Sequence, residues 1–165
     1  MKHRIRAAGI AVKDNCVLML RVQDPYSGEY WIPPGGGFEE GDVSTKQGLK
    51  REFKEETNLD VAVGELICVR EFYETSAERY HVELFYHITE WTGDANLQNL
   101  QGLNDEEYIQ EVVWLPIEKL SEYKTFPANL CEEVLSIIEK GHYAKHLGSY
   151  VQGEGESINR LEGNE

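Results

Sequence analysis

A chain of 165 residues that is 41% hydrophobic and 10% aromatic is long and apolar enough for one ordinary domain with a buried core. Its formal charge of -14 argues against a nucleic-acid backbone as the main partner, because such proteins usually carry a basic patch that neutralises phosphates. No apolar run approaches the roughly 20 residues that span a bilayer, and Met1-Lys2-His3-Arg4 leads into a strand pattern instead of a signal peptide, so neither membrane insertion nor export is expected.

Residues 5–12 and 16–22 are apolar runs separated by the turn residues Lys13-Asp14-Asn15, and together they predict a hairpin. After a loop over 23–29, Tyr30-Trp31-Ile32 forms a short strand stopped by Pro33-Pro34, which lack N–H groups and cannot sit in a fully paired central strand. A glycine loop follows, and then a helix over 44–57 with Ser44 or Thr45 as N-cap and Asn58 as a left-handed C-cap. With Leu49 set to zero at 100° per residue, Glu52, Glu55 and Glu56 fall at about 300°, 240° and 340°, a stripe roughly 100° wide. Leu49 and Phe53 border that stripe, and Gly48 lies one turn before Glu52, where a close backbone approach or simple drift would each account for it.

Residues 61–74 read as one or two strands with Gly64 as a bulge. In 80–91, Val82, Leu84, Tyr86 and Ile88 face one way, with His81, Glu83, Phe85, His87 and Thr89 the other. Both histidines read as ordinary strand residues. The long acidic connection 92–107 has the length of a functional loop. A last strand over 111–115 ends at Pro116, and 127–140 predicts an amphipathic packing helix with Pro127 in its first turn and Gly141 as its stop. Residues 148–165 have little to bury and are expected to form a disordered acidic tail, leaving 1–147 as the domain. The tail carries a net -3, so the body itself is at -11. Cys16, Cys68 and Cys131 lack any pairing pattern and read as reduced core thiols of a cytoplasmic protein.

The glycine loop invites two phosphate-binding patterns, and both fail. A P-loop needs Lys and then Ser or Thr after its second glycine, where Asp42 and Val43 follow Gly41; the dinucleotide fingerprint needs a glycine at the position of Glu40. An EF-hand is excluded by spacing as well. An acidic protein that handles phosphates needs local cations or a divalent metal, and Glu52, Glu55 and Glu56 offer hard oxygen ligands on one helix face. A solvated acidic face is the alternative reading of the same three residues.

Residues 36–59 resemble the Nudix box: Gly, five residues, Glu, seven residues, Arg-Glu, an apolar residue, any residue, Glu-Glu, any residue, Gly, an apolar residue. The stretch Arg51-Glu52-Phe53-Lys54-Glu55-Glu56-Thr57-Asn58-Leu59 follows the second half with Asn58 in place of glycine. The first half departs: Asp42 stands where the family has Glu, and one extra residue separates it from Arg51. The opening hairpin, Trp31-Ile32-Pro33-Pro34-Gly35-Gly36 and Val112-Val113-Trp114-Leu115-Pro116 also resemble Nudix (MutT-like) domains, over roughly residues 4–140.

The resemblance implies an α/β fold, an α/β/α sandwich with a mixed sheet between helices. It implies a hydrolase that cleaves the diphosphate linkage of a nucleoside diphosphate derivative with Mg2+ or Mn2+, and it admits a homodimer. Glu52, Glu55, Glu56 and the Gly36 carbonyl take the place of the metal ligands. Arg51 orients Glu52, and the general base is Glu52 or Glu55, with Glu106 and Glu107 as candidates outside the box. Substrate contacts are sought at Tyr30, Trp31, Arg6 and Arg21, with Tyr26, Tyr80, Arg4, Arg70 and Arg79 as further candidates for stacking or phosphate binding. A Nudix-like module that binds a nucleotide without cleaving it is the alternative, disfavoured by the intact carboxylate set.

Overall fold

The computed structural model describes residues 2–128, 130–144, 150–153 and 156–160. Two sheets form its centre. In the first, ordered β5-β1-β7-β6, strand β1 (Lys2–Ile10) runs parallel to β7 (Arg79–Thr92) and antiparallel to β5 (Gly35–Gly37), while β6 (Asp60–Glu74) closes the far edge antiparallel to β7. In the second, β3 (Cys16–Asp24) lies between β4 (Gly28–Ile32) and β8 (Ile109–Pro116), both antiparallel, and also pairs with the two-residue β2 (Val12–Lys13).

The predicted turn forms, with Asp14 at φ 49° and Asn15 at φ 58°, the two left-handed residues of a tight hairpin connection. The hairpin itself is shorter than predicted. Only Val12↔Val17 and Lys13↔Cys16 pair, and β1 then departs to the other sheet. Its apolar part is buried on both faces, so it needs a partner on each edge, and β5 and β7 supply them.

Period-two alternation sorts the side chains into two layers. Ala8, Ile10, Val17, Met19 and Phe85 pack with Leu130 and Val134, against which Leu135, Ile137 and Ile138 also lie. Ala7, Ala11, Leu18, Tyr86 and Ile88 pack on Leu49 and Phe53 of α1 (Thr45–Thr57). Helices therefore cover both sides of the two sheets, the first mixed and the second antiparallel, the expected α/β/α sandwich. The predicted bulge region is real, since the β6–β7 register shifts between Val63 and Leu66 around Gly64.

Both caps of α1 form as predicted: the Ser44 hydroxyl accepts from the Gln47 N–H, and Asn58 takes φ 62° while donating its N–H to the Lys54 carbonyl. The second helix differs from its prediction. Pro127 stands ahead of it, after a cis Phe126–Pro127 bond, and Leu130–Leu135 winds in wider π turns before α2 (Ser136–Lys140) ends at Gly141, φ 67°. Of the acidic tail only β9 (Tyr150–Gly153) and β10 (Glu156–Arg160) are described, paired antiparallel; the rest of 148–165, like the side chain of Cys131, lies outside the described residues. Cys16 and Cys68 are free thiols, and burial pushes that of Cys68 up to about 11. No described helix is long and apolar enough to cross a membrane.

Candidate active site

The site is built where α1 meets the glycine strand. Strand β5 has no side chains, so the acidic face of α1 can press on its backbone. At Gly36 an added Cβ would stand 2.4 Å from the Glu52 carboxylate, and at Gly35 it would stand 2.1 Å from the Ala7 carbonyl oxygen. The Gly35 N–H donates to Glu56 Oε2 at 2.8 Å, which turns an open strand edge into a carboxylate anchor.

Arg51 ties this face together. Its Nη1 donates to Glu52 Oε1 at 3.0 Å and to Glu55 Oε2 at 3.3 Å, and its Nη2 donates to the Gly37 carbonyl at 3.2 Å. Nε and Nη2 together grip Asp42, at 3.2 and 3.0 Å. The pairing works on both partners: the Asp42 bond raises the Arg51 pKa, and the Arg51 bond lowers that of Asp42. Gly48 is explained by the same contact. A Cβ there would lie 2.8 Å from Asp42 Oδ2, so the glycine makes room for the aspartate that the sequence marked only as a departure from the family pattern.

The three carboxylates are not a solvated face. Glu52 is 6% exposed and Glu56 3%, while Glu55 is half-buried. Burial pushes Glu52 up to about 6, against the pull of Arg51 and with the neighbouring charge of Glu55. Burial, then the charge of Glu52, drives Glu56 well above the ordinary carboxylate range, opposed by the Gly35 N–H. Among the described residues no three His, Cys, Asp or Glu side chains converge as placed to hold an ion, with Arg51 Nη1 bonded to both Glu52 and Glu55. The donor chemistry nevertheless fits a hard divalent cation: two buried carboxylates and a third beside them, all oxygen, gain from a positive charge that offsets their burial.

The remaining candidates separate. On the acidic loop Glu106 is spent locally, its Oε2 accepting the Gly102 N–H at 2.8 Å, and Glu107 is exposed. The loop acid that bears on the site is Asp105, whose charge acts on Glu52, Glu56 and Arg4. Only its place in the long acidic loop could have marked it. On β4, alternation sends Tyr30 and Trp31 to opposite sides. Trp31 is a core residue, 7% exposed and edge-on to Tyr123 at 5.4 Å, and so is withdrawn as a substrate contact. Tyr30 shares a hydroxyl hydrogen bond with Tyr108 and meets Phe126 edge-on at 4.9 Å. Arg6 pairs with Glu83 at 3.4 Å, and its charge is felt at Glu56, Tyr30 and Tyr108. Arg21 is engaged elsewhere, with Glu111 at 2.9 Å and Glu29 at 3.3 Å. Tyr26 stands 84% exposed on its loop.

A family model described as the NUDIX domain matches residues 2–133. Among solved structures, the E. coli ORF135 protein superposes with a TM-score of 0.67 at 22% identity, covering 85% of this chain and 94% of that one. A MutT NUDIX hydrolase from Burkholderia pseudomallei gives 0.68 at 17% identity, over 81% and 99%. A UDP-X diphosphatase gives 0.59 at 18% identity, over 86% and 65%. At these identities the likeness speaks for the fold. No curated protein matches the chain.

Proposed function

The chain belongs to the Nudix family, hydrolases of pyrophosphate bonds, and from that premise we propose that it cleaves the diphosphate linkage of a nucleoside diphosphate derivative in the presence of Mg2+ or Mn2+. The observation that carries the reading is the burial of Glu52 and Glu56 side by side against the glycine strand. Two buried carboxylates, both pushed up by burial and the second, Glu56, also by the charge of Glu52, are a cost that a merely wet helix face does not bear, and a bound cation would offset it.

In this reading Glu52, Glu55, Glu56 and the Gly36 carbonyl hold the metal, which when bound neutralises diphosphate oxygens and lowers the pKa of a water. Arg51 holds Glu52 and Glu55 in a shared orientation while itself fixed by Asp42 and the Gly37 carbonyl. The Gly35 N–H fixes Glu56. Glu52 or Glu55 takes the proton of the attacking water, and Asp105 replaces Glu106 and Glu107 as the base candidate outside the box. Tyr30 offers a ring to a nucleobase. The free thiols Cys16 and Cys68 suit the cytoplasm as the compartment.

The test is a panel of nucleoside triphosphates, dinucleoside polyphosphates, ADP-ribose, NADH and nucleotide sugars with Mg2+, with products identified. Expected is cleavage within the diphosphate of at least one class, abolished by EDTA and restored by Mg2+. Binding without hydrolysis across the panel would replace the enzyme by a nucleotide-binding module.

A further inference from the structure

Outside the carboxylate cluster, the least explained feature is a group of cations at the start of β1. Residues in register on neighbouring strands share a face: Lys2 lies beside Arg79, Arg4 beside His81, and Arg6 beside Glu83, with Arg70 beside Glu83 on the next strand. Among the described residues of these strands, that face carries five Lys and Arg side chains, Lys2, Arg4, Arg6, Arg70 and Arg79, and two carboxylates, Glu74 and Glu83, in a chain of charge -14. Both carboxylates are already used. Glu83 bonds Arg70 Nη2 at 2.6 Å and Arg6 Nε at 3.4 Å, and Glu74 bonds His81 Nε2 at 2.9 Å.

Among the described residues no hydrogen bond or ion pair engages the Arg4 side chain. Its guanidinium lies on the backbone of Gly37, where an added Cβ would be 2.5 Å from Nε and 2.6 Å from Nη2, so the glycine is what lets it lie there. Burial, and then the charges of Arg6 and Arg79, hold its pKa below the ordinary arginine value, offset in part by Asp105 and Glu52. His81, next to it in register, is 3% exposed, and its Nδ1 has no hydrogen-bond partner among the described residues. A half-buried guanidinium crowded by two others is unfavourable until an anion joins it, and its planar fork matches phosphate oxygens. Successive residues of a strand face opposite ways, so Gly36 looks onto Glu52 and Gly37 onto Arg4. The edge strand β5 thus separates a carboxylate compartment from a guanidinium compartment one residue along.

We propose that Arg4, with Arg6 and Arg79 beside it, binds a phosphate-type oxyanion of the substrate across β5 from Glu52, so that the preferred substrate carries an anionic group beyond the diphosphate linkage that is cleaved. A nucleoside triphosphate has such a group, and a nucleoside diphosphate joined to a neutral sugar lacks it. The substrate preference rests on the hydrolase reading above; the anion site does not.

The first measurement is binding of inorganic tripolyphosphate to the full chain by calorimetry without divalent metal. Arg4→Met, which keeps the apolar stem and removes the charge, should weaken binding about tenfold or more, and Arg4→Lys should weaken it less. Lys119→Ala, at an exposed position on the 3-10 stretch Ile117–Glu122, should leave it unchanged. The second measurement is KM with Mg2+: Arg4→Met should raise it for a nucleoside triphosphate and leave that for a nucleotide sugar unchanged. Arg79→Ala carries both arms should Arg4→Met not fold. No tripolyphosphate binding by the wild type, or equal binding by wild type and both arginine variants, overturns the inference whatever the enzyme hydrolyses. Binding lost in Arg4→Met, with no hydrolysis of any substrate by the wild type, supports the anion site and overturns the hydrolase reading alone.

Discussion

Gly48→Ala reverses the usual sign of a glycine-to-alanine change in a helix. In an unobstructed helix the substitution adds about 1 kcal/mol of stability. Here the new Cβ would stand 2.8 Å from Asp42 Oδ2 and 3.2 Å from its Cγ. Asp42 has little freedom to retreat: its side chain is 7% exposed and accepts from Arg51 Nε at 3.2 Å, Arg51 Nη2 at 3.0 Å and the Glu39 N–H at 2.9 Å. Relieving the contact means giving up at least one hydrogen bond to a charged group, worth about 1.5–3 kcal/mol. The variant should therefore be less stable than wild type by about 0.5–2 kcal/mol, which for a chain of this size lowers the melting temperature by roughly 1–8 °C. In an Asp42→Ala background the same change should stabilise by about 1 kcal/mol, giving a coupling energy of about 1.5–3 kcal/mol between the two positions. Urea unfolding of the four proteins measures this. A Gly48→Ala protein more stable than wild type, with no coupling to position 42, would refute the account of how Arg51 is held.

The carboxylates themselves should be dispensable for folding and needed for turnover: Glu55→Gln and Glu56→Gln are each expected to lower Mg2+-dependent hydrolysis by about 100-fold or more with unchanged circular dichroism, and near-wild-type turnover in both would end the metal-site reading. Asp105→Asn should change the pH–rate profile while Glu106→Gln/Glu107→Gln leaves it in place; the opposite result would return the base to the residues first picked from the loop. Gly36→Ala puts a Cβ 2.4 Å from the Glu52 carboxylate and should cut turnover more than it cuts stability, read from kcat alongside a thermal melt. Burial lowers the pKa of His81, against the pull of Glu74, so the unfolded chain takes up its proton first as the pH falls through 6.5. Stability should drop below that pH and be unaffected above it, and His81→Gln should flatten the drop in urea midpoints measured on either side.

Helix α1 was legible from the sequence almost to the residue, because its determinants are local. Ser44 and Asn58 cap it through bonds that reach no further than Gln47 and Lys54, and the spacing of Glu52, Glu55 and Glu56 puts them on one face in any helix. The strand alternation of 80–91 was legible for the same reason. What failed was the partner choice of β1. A turn at Asp14-Asn15 can be read from two residues, whereas the departure of β1 to β7 depends on chain some seventy residues distant.

Residue types and spacing by themselves determined a helix with three carboxylates on one face behind a glycine loop, and with them the resemblance to the family. They could not tell a wet acidic face from a buried one, because burial of Glu52 and Glu56 is set by how closely β5 approaches, and that approach is a tertiary distance. The structure alone decided that Trp31 is buried in the core while Tyr30 is partly buried at the edge of another cluster, that Asp42 and Gly48 meet to hold Arg51, and that Asp105 is the loop acid whose charge reaches the cluster. It also laid the Arg4 guanidinium on Gly37, without a side-chain partner among the described residues, beside a carboxylate site one residue away on the other face of the strand. Each of these contacts joins residues whose separation in the chain gives no periodic signal, so packing was needed to bring them together.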